Sequence, residues 1–130
     1  MTGASTGIGA ALAVEAAACG ARLVLSARRA ALLERTRQRC VERGAGQEDV
    51  LVLPLDMTDT AAHPAALARV LQQFGQLDIL VNNAGRSQRG RWEQISLQVD
   101  RDLFDLNVFS VVSTQRWLAG WLVTIACRLI

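Results

Sequence analysis

Tyrosine and lysine are both missing from these 130 residues, and all fourteen basic side chains are arginine. Without lysine the chain has no P-loop, because that phosphate site requires Gly-Lys-Ser/Thr. Cysteine is scarce: Cys19, Cys40 and Cys127 are far apart, with no CxxC pair and no metal-ligand spacing. Buried structural thiols in a reduced, intracellular setting are the expectation. Histidine occurs once, at His63. Charge of one sign is also lacking. A net charge of +2 and a pI near 8.7 are too mild to call for nucleic acid or an anionic membrane as partner. Arginines crowd between Arg28 and Arg43, but Glu34 and Glu42 interrupt them, which reads as a solvated helix face. No secretory leader is visible, since Met1 runs straight into glycines. The closing WLAGWLVTIACRLI carries Arg128 and falls short of the roughly 20 apolar residues of a membrane span.

What is present is the composition of one globular domain, residues 1–130, with 51% hydrophobic and 20% charged residues. After the opening glycines, Ile8, Leu12, Ala16 and Cys19 recur at helical spacing and predict the inner face of a helix ending at Gly20. RLVLSA (22–27), DVLVLPLD (49–56) and LDILVNNAG (77–85) read as buried strands. Between them, 29–43 reads as a helix with Leu33, Cys40 and Val41 inward. Leu67, Val70, Leu71 and Phe74 mark a second helix that ends at Gly75. This alternation predicts an α/β fold, a doubly wound parallel sheet with helices on both faces. From Asp100 to about Leu118 a further helix is apolar nearly all round, so it is expected to be buried or to lie against a partner.

Gly3, Gly7 and Gly9 make a G-x-x-x-G-x-G pattern at the start of the first helix. Glycine permits unusual backbone angles and lets a pyrophosphate approach the N–H groups of a helix N-terminus, where the dipole favours negative charge. His63 precedes Pro64 at a helix start and is expected to be structural, capping that helix, because no partner for a general base is evident.

TGASTGIG (Thr2–Gly9), Asp56 at the exit of the 49–56 strand, and NNAG (Asn82–Gly85) together resemble the classical branch of the short-chain dehydrogenase/reductase family. LVLSARR, VLVLPLDMTDT and FGQLDILVNNAGRSQRG are most similar to its dehydrogenase/reductase member seven group. The likeness runs from residue 1 to about 113 and implies a Rossmann-like fold that binds a nicotinamide cofactor. It implies that Thr2, Gly3, Ser5, Thr6, Gly7, Ile8 and Gly9 cradle the pyrophosphate, Ile8 standing beside the nicotinamide half. Asp56 and Met57 would border the adenine. Asn82, Asn83, Ala84 and Gly85 would pack at the ribose side and brace the sheet, and Asn107 matches the asparagine of the catalytic tetrad. At the end of the 22–27 strand an NAD-binding chain would carry an acid for the ribose 2′-OH. Here Ala27 is followed by Arg28 and Arg29, whose guanidinium forks suit a 2′-phosphate and predict NADP(H) over NAD(H). The nearest group implies steroids, retinoids or xenobiotic ketones as small carbonyl or alcohol substrates. It also implies an endoplasmic-reticulum anchor, upstream of where this chain starts, so solubility is expected. The 100–118 helix resembles the one through which family members form homo-oligomers.

The pattern also breaks. The family works through Tyr-x-x-x-Lys with a serine about thirteen residues earlier, and neither Tyr nor Lys exists here. A tyrosine of pKa about 10 needs a neighbouring ammonium to donate a proton at pH 7. After Ser113 the family's register is lost. Continuation of the helix, or a frayed tail, is the expectation for GWLVTIAC (120–127), with a fifth strand that puts Cys127 at the serine's place as the alternative. Only Met1 and Thr2 stand where a first strand would precede Gly3, so the strands 22–27 and 77–85 are expected to face a vacant slot. The expected function is therefore an oxidoreductase of this family present as a catalytically incompetent fragment or isoform. The alternatives are a non-catalytic cofactor-binding or dimerisation module, or an unstable product.

Overall fold

A computed structural model describes residues 1–118 together with the backbone of 123–126. Three short strands alternate with helices: α1 (Gly7–Ala18), β1 (Leu23–Ala27), α2 (Ala30–Glu42), β2 (Val50–Pro54), α3 (His63–Phe74) and β3 (Ile79–Asn82). A long helical segment follows as α4 (Leu97–Phe104), a π turn (Asp105–Phe109) and α5 (Ser110–Leu118), and then comes β4 (Val123–Ala126). All strand pairing is parallel: β1 with β2, Leu23 opposite Val50, and β3 with β4, Ile79 opposite Val123. Among the described residues no helix is long and apolar enough to cross a membrane.

Strand alternation sends successive side chains to opposite faces. On one face Leu23, Leu25 and Val50 meet Ala13, Val14, Leu33 and Cys40 from α1 and α2. Leu25 and Leu33 are wholly buried, which stabilises by roughly 1.5–3 kcal/mol each. On the other face Val24, Ser26 and Leu53 look toward α3 and α5, where they line a cavity of about 90 Å³ with Val70, Leu80 and Leu118. Helices therefore cover both faces of the strands, as the alternation predicted.

Four expectations need correction. The inner face of α1 is Gly9, Ala10, Ala13, Val14 and Ala17, while Ile8 and Leu12 are exposed. Small side chains let this helix lie close to the sheet, so the bulky residues mark its outer side. The slot between β1 and β3 is spanned in part by Met1 and Thr2. The α-amino group of Met1 donates to Val24 O, Ser26 N donates to Met1 O, and Thr2 N donates to Val81 O, at 2.8–3.0 Å. The 100–118 helix begins at Leu97 and is interrupted by the π turn. Phe104, Val108, Phe109 and Val112 are 38–57% exposed rather than buried. Finally, Val123–Ala126 is a strand and not a continuation of the helix, because β3 offers an edge on which β-branched Val123, Thr124 and Ile125 pair. Residues 120–122 and Cys127, which the alternative assigned to that strand and to the serine's place, lie outside the described residues. Of the other cysteines, Cys40 is buried as expected and Cys19 is exposed, just beyond α1.

Candidate functional site

Thr2 organises the site. Its hydroxyl accepts from Asn83 N at 3.0 Å and Ala84 N at 2.9 Å, and donates to Val81 O at 3.4 Å. The side-chain amide of Asn83 donates back to Thr2 O at 3.1 Å and Gly3 O at 3.3 Å. Five hydrogen bonds thus lock the glycine loop to the exit of β3.

The three glycines answer two different demands. Gly3 has φ +66°, and a Cβ there would lie 2.8 Å from the Asn83 amide nitrogen. A Cβ on Gly9 would strike Gly3 O and come within 2.5 Å of the same nitrogen. Both are required by close packing beneath the loop. Gly7, φ +58°, has nothing within 4 Å and faces open space at the first turn of α1. That turn carries no acidic residue, and its N-cap residue Thr6 makes no capping bond. Its N–H groups and dipole are therefore left for an anion.

This opening is one wall of a cleft of about 540 Å³. Gly3, Ser5, Thr6, Gly7 and Ile8 form that wall, and Arg28 and Arg29 stand at the exit of β1. Asp56, Met57 and Thr58 stand at the exit of β2. Asn83, Ala84, Gly85 and Arg86 follow β3, with Asp102, Asp105 and Leu106 beyond them. Arg28 and Arg29 are exposed and form no ion pair among the described residues. Asp56 Oδ1 accepts from Thr58 N at 3.0 Å and Thr58 Oγ1 at 2.8 Å. These bonds, the backbone one foremost, hold its carboxyl below the usual range, with help from the charge of Arg28.

Most of the residues singled out in the sequence line this cleft. Thr2 and Gly9 are buried beneath it. Asn82 is buried too, accepting from Thr114 Oγ1 at 3.2 Å, so it braces β3 against α5. Asn107 sits in the π turn and clamps the loop after β3: its Oδ1 accepts from Arg86 N at 3.1 Å and its Nδ2 donates to Arg86 O at 2.8 Å. Its side chain reaches the cleft only through that loop. His63 opens α3 without a capping bond, since its ring turns inward instead. The sequence reading missed Thr58, Arg86, Asp102 and Asp105. Asp56-x-Thr58 was a legible side-chain turn, whereas the others depend on how α4 approaches the loop. There the Arg86 guanidinium comes to 3.7 Å from Asp102, and Gln88 Nε2 donates to Asp100 at 2.8 Å.

The donor set fits a dinucleotide. Unspent N–H groups at an open glycine suit a pyrophosphate, two free guanidinium groups suit a further phosphate, and the buried Asn83 Oδ1 is left without a partner.

A model of the short chain dehydrogenase family matches residues 1–124. Dehydrogenase/reductase SDR family member 7 of Mus musculus is 54% identical over 114 residues, covering 87% of this chain and 34% of its own length. The chain thus spans about a third of the length of the curated relatives it matches. A short-chain dehydrogenase from Streptomyces avermitilis superposes with TM-score 0.82 at 34% identity, over 96% of this chain and 47% of its own. An alcohol dehydrogenase from Thermococcus sibiricus, solved with 5-hydroxy-NADP, superposes with TM-score 0.88 at 27% identity, over 100% of this chain and 59% of its own. These neighbours are Rossmann folds, and this chain shares that architecture.

Two outcomes follow from the site's geometry. Thr2→Val strands two backbone N–H donors and is expected to cost about 1–3 kcal/mol in urea unfolding, while Thr2→Ser keeps the hydroxyl and most of the stability. The lowered carboxyl of Asp56 contributes stability that is complete above the ordinary carboxylate value of about 3.9 and is lost as pH falls through its folded value. Urea midpoints measured downward from pH 6 are expected to fall less steeply in that acid window for Asp56→Asn than for the wild type.

Proposed function

The chain belongs to the short-chain dehydrogenase family, and from that premise we propose that its cleft binds NADP(H) in preference to NAD(H). One observation carries this reading: Arg28 and Arg29 stand unpaired in the same cleft as the open Gly7, with Ala27 rather than an acid at the end of β1. The first turn of α1 would hold the pyrophosphate, Arg28 and Arg29 the 2′-phosphate, Asp56 and Met57 the adenine, and Asn83 to Gly85 the ribose side. When bound, the cofactor exchanges a hydride with a carbonyl or secondary alcohol, the substrate class we assign to the whole protein.

The residues here hold and orient the cofactor. Asn107 keeps the loop after β3 in position and carries no proton itself. With no tyrosine and no lysine, these 130 residues lack the family's proton donor, a contribution of ~10²–10⁴ in rate. The reading is therefore of a cofactor-binding module without turnover of its own. Fluorescence titration of the purified chain is expected to give tighter binding of NADPH than NADH. That preference should disappear in an Arg28→Ala, Arg29→Ala double variant, and NADPH should not be consumed with a panel of ketones. Equal affinity for the two cofactors, or turnover, contradicts the reading.

The exposed apolar side of α4 and α5 favours a second property, association with another copy. Phe104 and Phe109 are 55% and 57% exposed, and Val108 and Val112 accompany them. Sedimentation velocity is expected to report a dimer that becomes a monomer on Phe109→Glu. A monomeric wild type removes this second property and leaves the first untouched.

A further inference from the structure

The chain's single histidine is buried, 4% exposed, at the start of α3. Its ring joins two other elements: Nε2 lies 3.2 Å from Met57 O, and Nδ1 lies 2.9 Å from Ser113 Oγ on α5. A carbonyl oxygen only accepts, so Nε2 carries the proton, and Nδ1 takes the hydroxyl hydrogen of Ser113. Met57 is itself buried, and with Leu55 it forms the wall between the 540 Å³ cleft and the 90 Å³ interior cavity. On the cleft side of that wall Asp56 is turned onto Thr58. The turn is thus pinned at its front by its own Asx bonds. At its back it is held by one imidazole, which is braced against α5.

We infer that His63 is a positioning residue for the phosphoadenosine end of the cleft. Through Met57 O it fixes the height of the Asp56–Met57 turn opposite Arg28 and Arg29. The inference rests on the cofactor reading above and deepens it. A histidine that merely filled space would affect both ends of the cleft alike, through overall stability. A strut on this one turn affects only ligands that reach it, and the far end around Gly85 and Asp105 is built on other elements.

The length of the side chain provides the test. The amide of glutamine reaches as far as imidazole Nε2 and can keep the Met57 bond, whereas that of asparagine stops at the Nδ1 position and can keep only Ser113. NMR titrations with 2′,5′-ADP and with nicotinamide mononucleotide would compare the wild-type chain, His63→Gln and His63→Asn. For 2′,5′-ADP, His63→Asn is expected to weaken binding on the order of tenfold, the worth of one hydrogen bond, while His63→Gln stays near wild type. Binding of the mononucleotide is expected to be the same in all three. Without ligand, exchange of the Thr58 amide should quicken in His63→Asn alone. Should His63→Asn not fold in a thermal melt, Ser113→Ala removes the brace without removing the ring. It is then expected to weaken 2′,5′-ADP and spare the mononucleotide. The inference is overturned if folded His63→Asn, or Ser113→Ala in its stead, binds 2′,5′-ADP as the wild type does. It is equally overturned if glutamine loses as much as asparagine, or if the mononucleotide weakens in parallel. A wild-type chain that binds neither probe overturns the cofactor reading, and the ligand half of the inference falls with it. Exchange at Thr58 still decides separately whether His63 holds the turn.

Discussion

A single hydroxyl governs the geometry of the cleft. Thr2 reaches across from the start of the chain to the exit of β3 and satisfies two backbone donors there. Asn83 returns the favour by holding the carbonyls of Thr2 and Gly3. The approach this enforces is so close that Gly3 and Gly9 admit no Cβ. The first turn of α1 then has no freedom to move away from β3, and Gly7 is left at the rim with space before it. The anion-receiving character of the loop is thus a consequence of packing beneath it, not of the loop's own sequence alone.

Much of this was legible before any coordinates. The alternation of apolar runs and amphipathic segments gave the layered fold, because parallel strands buried on both faces leave a continuous apolar signature. The glycine spacing and the Arg28–Arg29 pair pointed to residues that do meet in one cleft. The inner side of α1 was misread because a helix lying close to a sheet is selected for small side chains, and Ala10, Ala13 and Ala17 carry little hydrophobic signal. The long helix was misread because a π turn shifts the angular phase of everything after it, so no single 3.6-residue stripe describes both halves. The strand at Val123–Ala126 was ambiguous for a different reason. A short β-branched run pairs only if an edge is offered, and β3 offers one. Arg86 and Asp102 gave no local signal at all, since their meeting depends on the approach of two separate elements.

Binding and chemistry are separable in this architecture. The groups that suit a phosphorylated dinucleotide are gathered from the exits of β1, β2 and β3 and the start of α1, all within the first 107 residues. The proton-donating apparatus of the family would be a later addition to the same frame, and the composition supplies neither of its two side chains. A fold that collects cofactor contacts early in the chain leaves the binding half chemically meaningful by itself.

The π turn at Asp105–Phe109 also limits what insertions and deletions the chain can tolerate. A π turn holds one more residue than an α turn of the same height, and each residue advances a helix by about 100°. Deleting any one residue between Asp105 and Phe109 would let the segment relax into an ordinary helix and spin α5 by that angle. Thr114 would swing off Asn82 and Ser113 off His63, while the face now open to solvent would turn toward the sheet. Codon loss at this point should therefore be far more damaging than any single substitution nearby, although the missing side chain itself touches nothing essential.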